Sequence, residues 1–271
     1  MTPKEKEGRL VSLLGEYSSS IVAFSGGVDS SYLAYVANKV QGKSARIVTA
    51  LSPSVSKMQE DLVRDFVDRY GLNHTYIETE ELANPSYAEN PSNRCYFCKS
   101  ELFERLKQLR LEWNVEVVFD GSNADDVGDY RPGKQAAREQ EVVSPLIEVG
   151  ITKAELRELS RDAGLPTWDL PAMPCLSSRL PYGVEVTVEK LRQVEKAEEV
   201  LRRMGLHQFR VRHHEELARL EIEREEMAKV LSLDVFDEIC AELKALGYQY
   251  VTIDLQGFRS GSLNELLQLE S

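Results

Sequence analysis

The sequence predicts an α/β fold, a doubly wound and mainly parallel sheet, followed by a smaller C-terminal α+β domain. Three observations carry this. Apolar, strand-like runs at 21–24, 46–51, 74–78, 115–119 and 141–144 alternate with helical patterns at 31–40, 58–70, 96–109 and 152–163. Such alternation marks βαβ units and a parallel sheet. The stretch 165–187 then breaks the rhythm with Pro166, Pro171, Pro174 and Pro181 and reads as an ordered loop or linker. Beyond it the pattern changes to a charged amphipathic helix at 188–204, strands at 209–212 and 219–223, a helix at 224–246 and a strand at 250–255. The expected domains are 1–170, a cysteine-bearing linker at 171–186, and 187–271.

The first strand leads directly into the most informative segment. Ile21, Val22, Ala23 and Phe24 are followed by Ser25-Gly26-Gly27-Val28-Asp29-Ser30 and then by a helical run. A strand, a glycine turn and a helix start form an anion cradle. Glycines let the backbone approach an oxyanion, and the N–H groups of the first helical turn point at it, aided by the helix dipole. The segment lacks the Lys-Ser/Thr ending of the common phosphate loop and the G-x-G-x-x-G of dinucleotide folds. Ligands of open parallel sheets sit beyond the carboxyl ends of the strands. Ser25, Ser52 and Gly121 each follow such an end, so these turns are expected to converge on a nucleotide.

Composition narrows the partners. Apolar residues make up 42% of the 271, enough for a proper core, and the formal net charge is −12. The acidic excess is shared by both halves, so no domain carries the basic face that phosphate neutralisation requires, which weighs against a nucleic-acid partner. No apolar run approaches the ~20 residues of a membrane span. The N-terminus carries no apolar signal stretch, and the expected location is cytoplasmic.

Four cysteines in a reducing compartment pose a question of metal or sulfur chemistry rather than of disulfides. Cys95 and Cys98 fall three apart in the first turn of a predicted helix, on one face, where the helix N-terminus favours thiolate. Cys175 sits in the proline-rich segment beside Ser177, Ser178 and Arg179. Three soft ligands suit zinc with a fourth ligand from elsewhere, or an iron–sulfur cluster. Cys240 falls on the apolar face of a late helix and reads as core. His213 and His214 read as strand residues.

Several further segments occur in order: 120–126 (DGSNADD), 129–133 (DYRPG), 175–179 (CLSSR), 181–183 (PYG), 209–212 (FRVR) and 254–261 (DLQGFRSG). Together with SGGVDS at 25–30 they resemble the LarE family, ATP-dependent sulfur transferases of the PP-loop ATP pyrophosphatases. The likeness runs from about residue 20 to 262. It implies an adenine nucleotide alpha hydrolase-like first domain. It also implies sulfur insertion into pyridinium-3,5-dicarboxylate mononucleotide through an adenylated carboxylate, in assembly of a nickel-pincer cofactor. Cys95, Cys98 and Cys175 match the family's three-cysteine pattern, which implies a four-iron cluster that takes up sulfide or another sulfur donor. Some members instead give up their own cysteine sulfur, so Cys175 as the consumed donor stays an open alternative. The family also implies a homo-oligomer.

On that likeness the nucleotide contacts fall at Ala23, Phe24, Ser25, Gly26, Gly27, Val28, Asp29, Ser30, Ser52 and Gly121. Asp29 is the candidate for Mg²⁺, with Asp126 and Asp129 competing, since Mg²⁺ prefers carboxylate and phosphate oxygens. Arg131 is placed at the α-phosphate. Ser178, Arg179, Arg210 and Arg212 are the candidates for the substrate's phosphate and carboxylates, which guanidinium matches bidentately. Glu198 and Glu221 are weaker candidates in the same region, a surface role being the preferred reading. Three rival readings remain at this point: a cluster-dependent tRNA thiolase, a PP-loop amide-forming ligase and a zinc-stabilised nucleotide-binding module.

Overall fold

The computed structural model of the chain describes residues 1–128, 132–259, 261 and 262. The chain packs as two units, one of Met1–Asn84 with Asn93–Met173, the other of Pro85–Ser92 with Pro174–Ser271.

In the first unit, strands β1 (Ser20–Ala23), β2 (Ala45–Leu51), β3 (His74–Glu78) and β4 (Val117–Phe119) form one sheet in the order β3-β2-β1-β4. Every pairing is parallel, with Ser20 opposite both Ala45 and Val117. Neighbouring residues on β1 bury in opposite directions, as a period of two requires. Val22 joins a core with Leu10 and Leu14 of α1 (Pro3–Gly15), Leu33 of α2 (Val28–Gln41) and Phe66 of α3 (Lys57–Tyr70). Ile21 joins the other core with Val48, Phe103 and Leu106. The sheet is therefore covered on both faces at β1 and β4, which is why these read as continuous apolar runs, whereas edge strand β3 is largely exposed.

The second unit takes in α4 (Pro85–Ala88), while α5 (Arg94–Glu112), α6 (Pro132–Glu139), α7 (Pro145–Glu148) and α8 (Lys153–Asp162) belong to the first. The rest of the second unit is α9 (Val188–Arg203), β5 (Phe209–His214), β6 (Leu217–Ile222), α10 (Leu233–Ala245) and β7 (Tyr250–Ile253). Its sheet runs β5-β6-β7, antiparallel then parallel, over a core that includes Leu201, Val211, Leu220 and Leu243. Asn90, fully buried at φ 57°, donates its amide to the carbonyls of Pro181 and Val184 at 2.7 and 3.0 Å. That bond pair fixes 85–92 and 181–186 in one body.

Several elements depart from the sequence reading, among them the short helices α4, α6 and α7, which it does not contain. The strand expected at 141–144 shrinks to one parallel bridge between Phe119 and Val143. Closing α6 consumes the preceding residues: Val142 N–H returns to the Ala137 carbonyl and Glu141 turns at φ 57°. The helix expected at 224–246 begins only at Leu233, where Ser232 Oγ caps Val235 N–H. Upstream, Glu226 accepts from the backbone of His207 and Gln208 at 2.9 Å each, which holds that stretch as a turn. Helix α1 was not anticipated, although Thr2 and Glu5 form a capping box at its start.

Candidate active site

The glycine turn keeps its strand and helix in register. Phe24 N–H continues the sheet to the Val48 carbonyl at 2.8 Å, and Thr49 Oγ1 donates to the Phe24 carbonyl at 2.9 Å. Gly26 then turns at φ +74°, and a Cβ there would lie 2.9 Å from Val63 Cγ2 on α3. Both the angle and the space demand glycine. Gly27 is the N-cap of α2, and no described side chain caps it, so the first-turn N–H groups are offered to a ligand. Within the loop, Ser30 Oγ accepts from Ser25 N–H at 3.2 Å and lies 3.1 Å from Ser25 Oγ.

The turn after β4 is pressed onto this loop. A Cβ on Gly121 would sit 3.0 Å from Ser30 N and 3.1 Å from Ser30 Cα. The neighbouring Asp120 is buried and accepts from Ser122 Oγ at 2.7 Å and Ser144 Oγ at 2.6 Å. Asp126, also buried, accepts from Asn123 N–H at 2.9 Å. Arg131 and Asp129 lie outside the described residues.

Asp29 faces a partner that sequence reasoning missed. Lys153 Nζ stands 2.8 Å from each of its carboxylate oxygens. Lys153 is the first residue of α8, its N–H bonded to Asp125 Oδ2 at 2.8 Å. The signal available was the capping box of Thr152 and Glu155, which announces a helix start but not what it faces. Ser52, after β2, donates to Glu81 Oε1, as does Ser54 at 2.7 Å.

Cys95 and Cys98 lie in the first turn of α5, the former exposed and the latter half-buried. A Cβ on Gly133 of α6 would meet Lys99 Cγ at 2.9 Å and the Cys95 carbonyl at 3.6 Å, so α6 packs tightly on the cysteine-bearing turn. Cys175 belongs to the second unit, at the N-cap of a 3-10 turn over Leu176–Arg179. All four cysteines are thiols rather than disulfide halves. Among the described residues no three His, Cys, Asp or Glu side chains gather as a ready metal set. Cys240 is half-buried, the inward positions of its helix being Ile239 and Leu243, so its reading as core is corrected.

The second unit holds a buried arginine cluster. Arg179 sends Nε and Nη2 to the two oxygens of Glu198 at 2.8 and 2.9 Å, and Nη1 to the carbonyls of Pro174 and Cys175 at 2.6 and 3.0 Å. It thus anchors the backbone that carries Cys175. Arg212 pairs with Glu221 at 2.7 Å and donates to the Ser178 carbonyl and Ser262 Oγ at 2.8 Å each. Glu198 and Glu221 are buried rather than on the surface, because each neutralises an arginine that the fold has taken out of water. Arg210 lies with its guanidinium 5.1 Å from the Phe258 ring. Burial, and then the charge of Arg179, pushes Arg210 down to about 10, with Glu198 opposing. Arg210 Nη1 donates to the Phe209 carbonyl at 2.5 Å. His213 and His214 lie in β5, His213 with Nδ1 3.1 Å from Tyr248 OH.

No family model matches the chain. Over 97% of its length it is 46% identical to an uncharacterized protein of Synechocystis, covering 98% of that protein. It is 33% identical over 97% of its length to the pyridinium-3,5-bisthiocarboxylic acid mononucleotide synthase of Lactiplantibacillus plantarum, covering 95% of it. Over 75% of the chain it is 28% identical to a component of the glutamine-hydrolyzing GMP synthase of Pyrococcus horikoshii, covering 71% of that component.

Proposed function

The chain belongs to the LarE family of pyridinium-3,5-bisthiocarboxylic acid mononucleotide synthases, and on that premise we propose that it performs ATP-dependent sulfur insertion into pyridinium-3,5-dicarboxylate mononucleotide. The observation that carries the reading is the uncapped start of α2 behind the Gly26–Gly27 turn, a cradle for the β and γ phosphates. A substrate carboxylate oxygen attacks the α-phosphorus of ATP, and pyrophosphate departs. Sulfur then attacks the acyl carbon of the adenylate and AMP leaves, giving the thiocarboxylate precursor of the nickel-pincer cofactor.

Each group of residues has a task in this. Backbone N–H groups of 25–30 hold the phosphates, with Ser25 and Ser30 hydroxyls assisting. Asp29 would hold Mg²⁺ beside the phosphates, and Lys153, 2.8 Å from its carboxylate, supplies a positive charge at the same place. Arg210 draws the substrate's anionic groups, supported by Ser178, while Arg179 and Arg212 hold the Cys175 segment to the arginine cluster.

The thiols of Cys95 and Cys98, one helical turn apart, fit as two soft ligands of an iron–sulfur group, and Cys175 would be the third. Held by three thiolates, such a group would supply an iron site for an exogenous sulfide. The reading carries with it a cytoplasmic homo-oligomer. Among the described residues, no helix is long and apolar enough to cross a membrane.

The test is pyrophosphate release as a function of the pyridinium nucleotide. Release must require that nucleotide, and Arg210→Gln should raise its KM about ten-fold, as expected for a lost charged hydrogen bond, while ATP affinity holds. Release that ignores the pyridinium nucleotide would sink the reading; an unchanged KM would remove Arg210 from the site.

A further inference from the structure

Glu81 is 2% exposed and follows β3 at the nucleotide edge of the sheet. Its Oε1 accepts from both Ser52 and Ser54 hydroxyls, whereas its Oε2 is inaccessible and has no hydrogen-bond partner among the described residues. A buried carboxylate oxygen without a donor is costly, roughly 1–3 kcal/mol or more for a charged group. Folding alone gives no return for it, so the missing donor calls for explanation.

The place of this group narrows the donor. Ser52 directly follows β2, and Thr79 N–H still pairs with the Leu51 carbonyl there at 3.0 Å. The turn 52–56 runs straight into α3, whose Gln59 carbonyl and Val63 side chain border Gly26 of the phosphate loop. Ser52 Oγ also accepts from Ser54 N–H at 3.2 Å. With its proton committed to Glu81, it can offer a ligand only a lone pair. Both Glu81 and Ser52 are thus set as acceptors, beside the phosphate cradle.

We propose that Ser52, Ser54 and Glu81 form a donor-reading subsite of the nucleotide pocket, taking an N–H or O–H group of the nucleoside part of ATP. This rests on the ATP reading above. Two sources share that chemistry, the 6-amino group of adenine and the ribose hydroxyls.

Equilibrium binding of ATP, ITP, 2′-deoxy-ATP and 3′-deoxy-ATP to the full chain separates them. The analogue lacking the donor that is read should bind about ten- to a hundred-fold more weakly than ATP, as for a hydrogen bond to a buried charge. ITP alone weakened assigns the amine; a deoxy analogue alone weakened assigns that hydroxyl. Glu81→Gln, which keeps the shape but replaces an acceptor oxygen by a donor nitrogen, should erase the discrimination so that ATP and that analogue bind alike. Equal binding of all four nucleotides to the unaltered chain would overturn the subsite and leave the ATP reading intact. Failure of the unaltered chain to bind ATP would overturn both. The analogue series on the unaltered chain decides the matter even if Glu81→Gln does not fold.

Discussion

Lys153 Nζ lies 2.8 Å from both carboxylate oxygens of Asp29, so one ion pair joins the first turn of α8 to the first turn of α2. Both residues stand at helix N-termini, where the dipoles already favour an anion. Asp29 offsets the charge of Lys153 here, and on the proposed reading a phosphate would compete with it for that lysine. Lys153→Met should weaken ATP and pyrophosphate binding about ten-fold and leave AMP binding unchanged, since AMP lacks the phosphates concerned. Calorimetry with the three ligands reads this directly. An equal loss for AMP would make Lys153 a structural tie.

Gly121 tests the contact between the β4 turn and the phosphate loop. Its Cβ in Gly121→Ala would meet backbone atoms of Ser30 at 3.0 and 3.1 Å, and backbone cannot swing aside as a flexible side chain can. The expected result is a loss of about 1–3 kcal/mol in stability, with ATP affinity down at least ten-fold. Circular dichroism against temperature and nucleotide titration check the two halves. Full ATP affinity in the variant would show that the loop does not depend on this contact.

Acid should loosen the second unit. Burial pushes the Glu198 carboxyl up, but Arg179's charge and hydrogen bonds outweigh it, and the group sits below the usual value of 4.5. A carboxyl lowered in the folded state contributes stability that is full above 4.5 and declines as the pH falls through the folded value. Unfolding monitored between pH 7 and pH 3 should show that decline setting in below about 4.5. Glu198→Gln, which leaves Arg179 buried without its counter-charge, should cost about 3–5 kcal/mol at neutral pH and flatten the acid limb. A stability curve with the same acid slope in the variant would contradict the assignment.

The cysteines divide by place. Cys95→Ala, Cys98→Ala and Cys175→Ala should each abolish iron and acid-labile sulfide in anaerobically purified protein, while Cys240→Ala, in α10 and outside the three-cysteine pattern, should not. Metal analysis with an absorption spectrum reads this. Zinc at one per chain and no iron would make the thiols structural.

The parts legible in the sequence were those whose signal is local. SGGVDS lies between a strand and a helix in a fixed spacing, and the structure gives it that form: strand, positive-φ glycine, uncapped helix start. The alternation of periods gave the parallel sheet. What escaped depends on partners far along the chain. Lys153 reaches Asp29 across 124 residues, and Arg212 meets Glu221 only because β5 and β6 run antiparallel. Glu198 and Glu221 looked like surface acids because an isolated carboxylate belongs in water; nothing in their neighbourhood announced the arginines. The strand at 141–144 failed for a third reason, since local propensity cannot tell that closing α6 uses the residues it would need.

The central claim is replacement of a substrate carboxylate oxygen by sulfur at the expense of ATP. Its most direct test is mass spectrometry of the reaction of the full chain, reconstituted with iron and sulfide, with ATP, Mg²⁺, sulfide and pyridinium-3,5-dicarboxylate mononucleotide. The account predicts a product with sulfur in place of one oxygen, AMP and pyrophosphate in equal amounts, and a protein of unchanged mass after several turnovers. Loss of sulfur from Cys175 in step with product would contradict the externally supplied sulfur. AMP formation with no sulfur in the nucleotide would contradict the sulfur transfer itself.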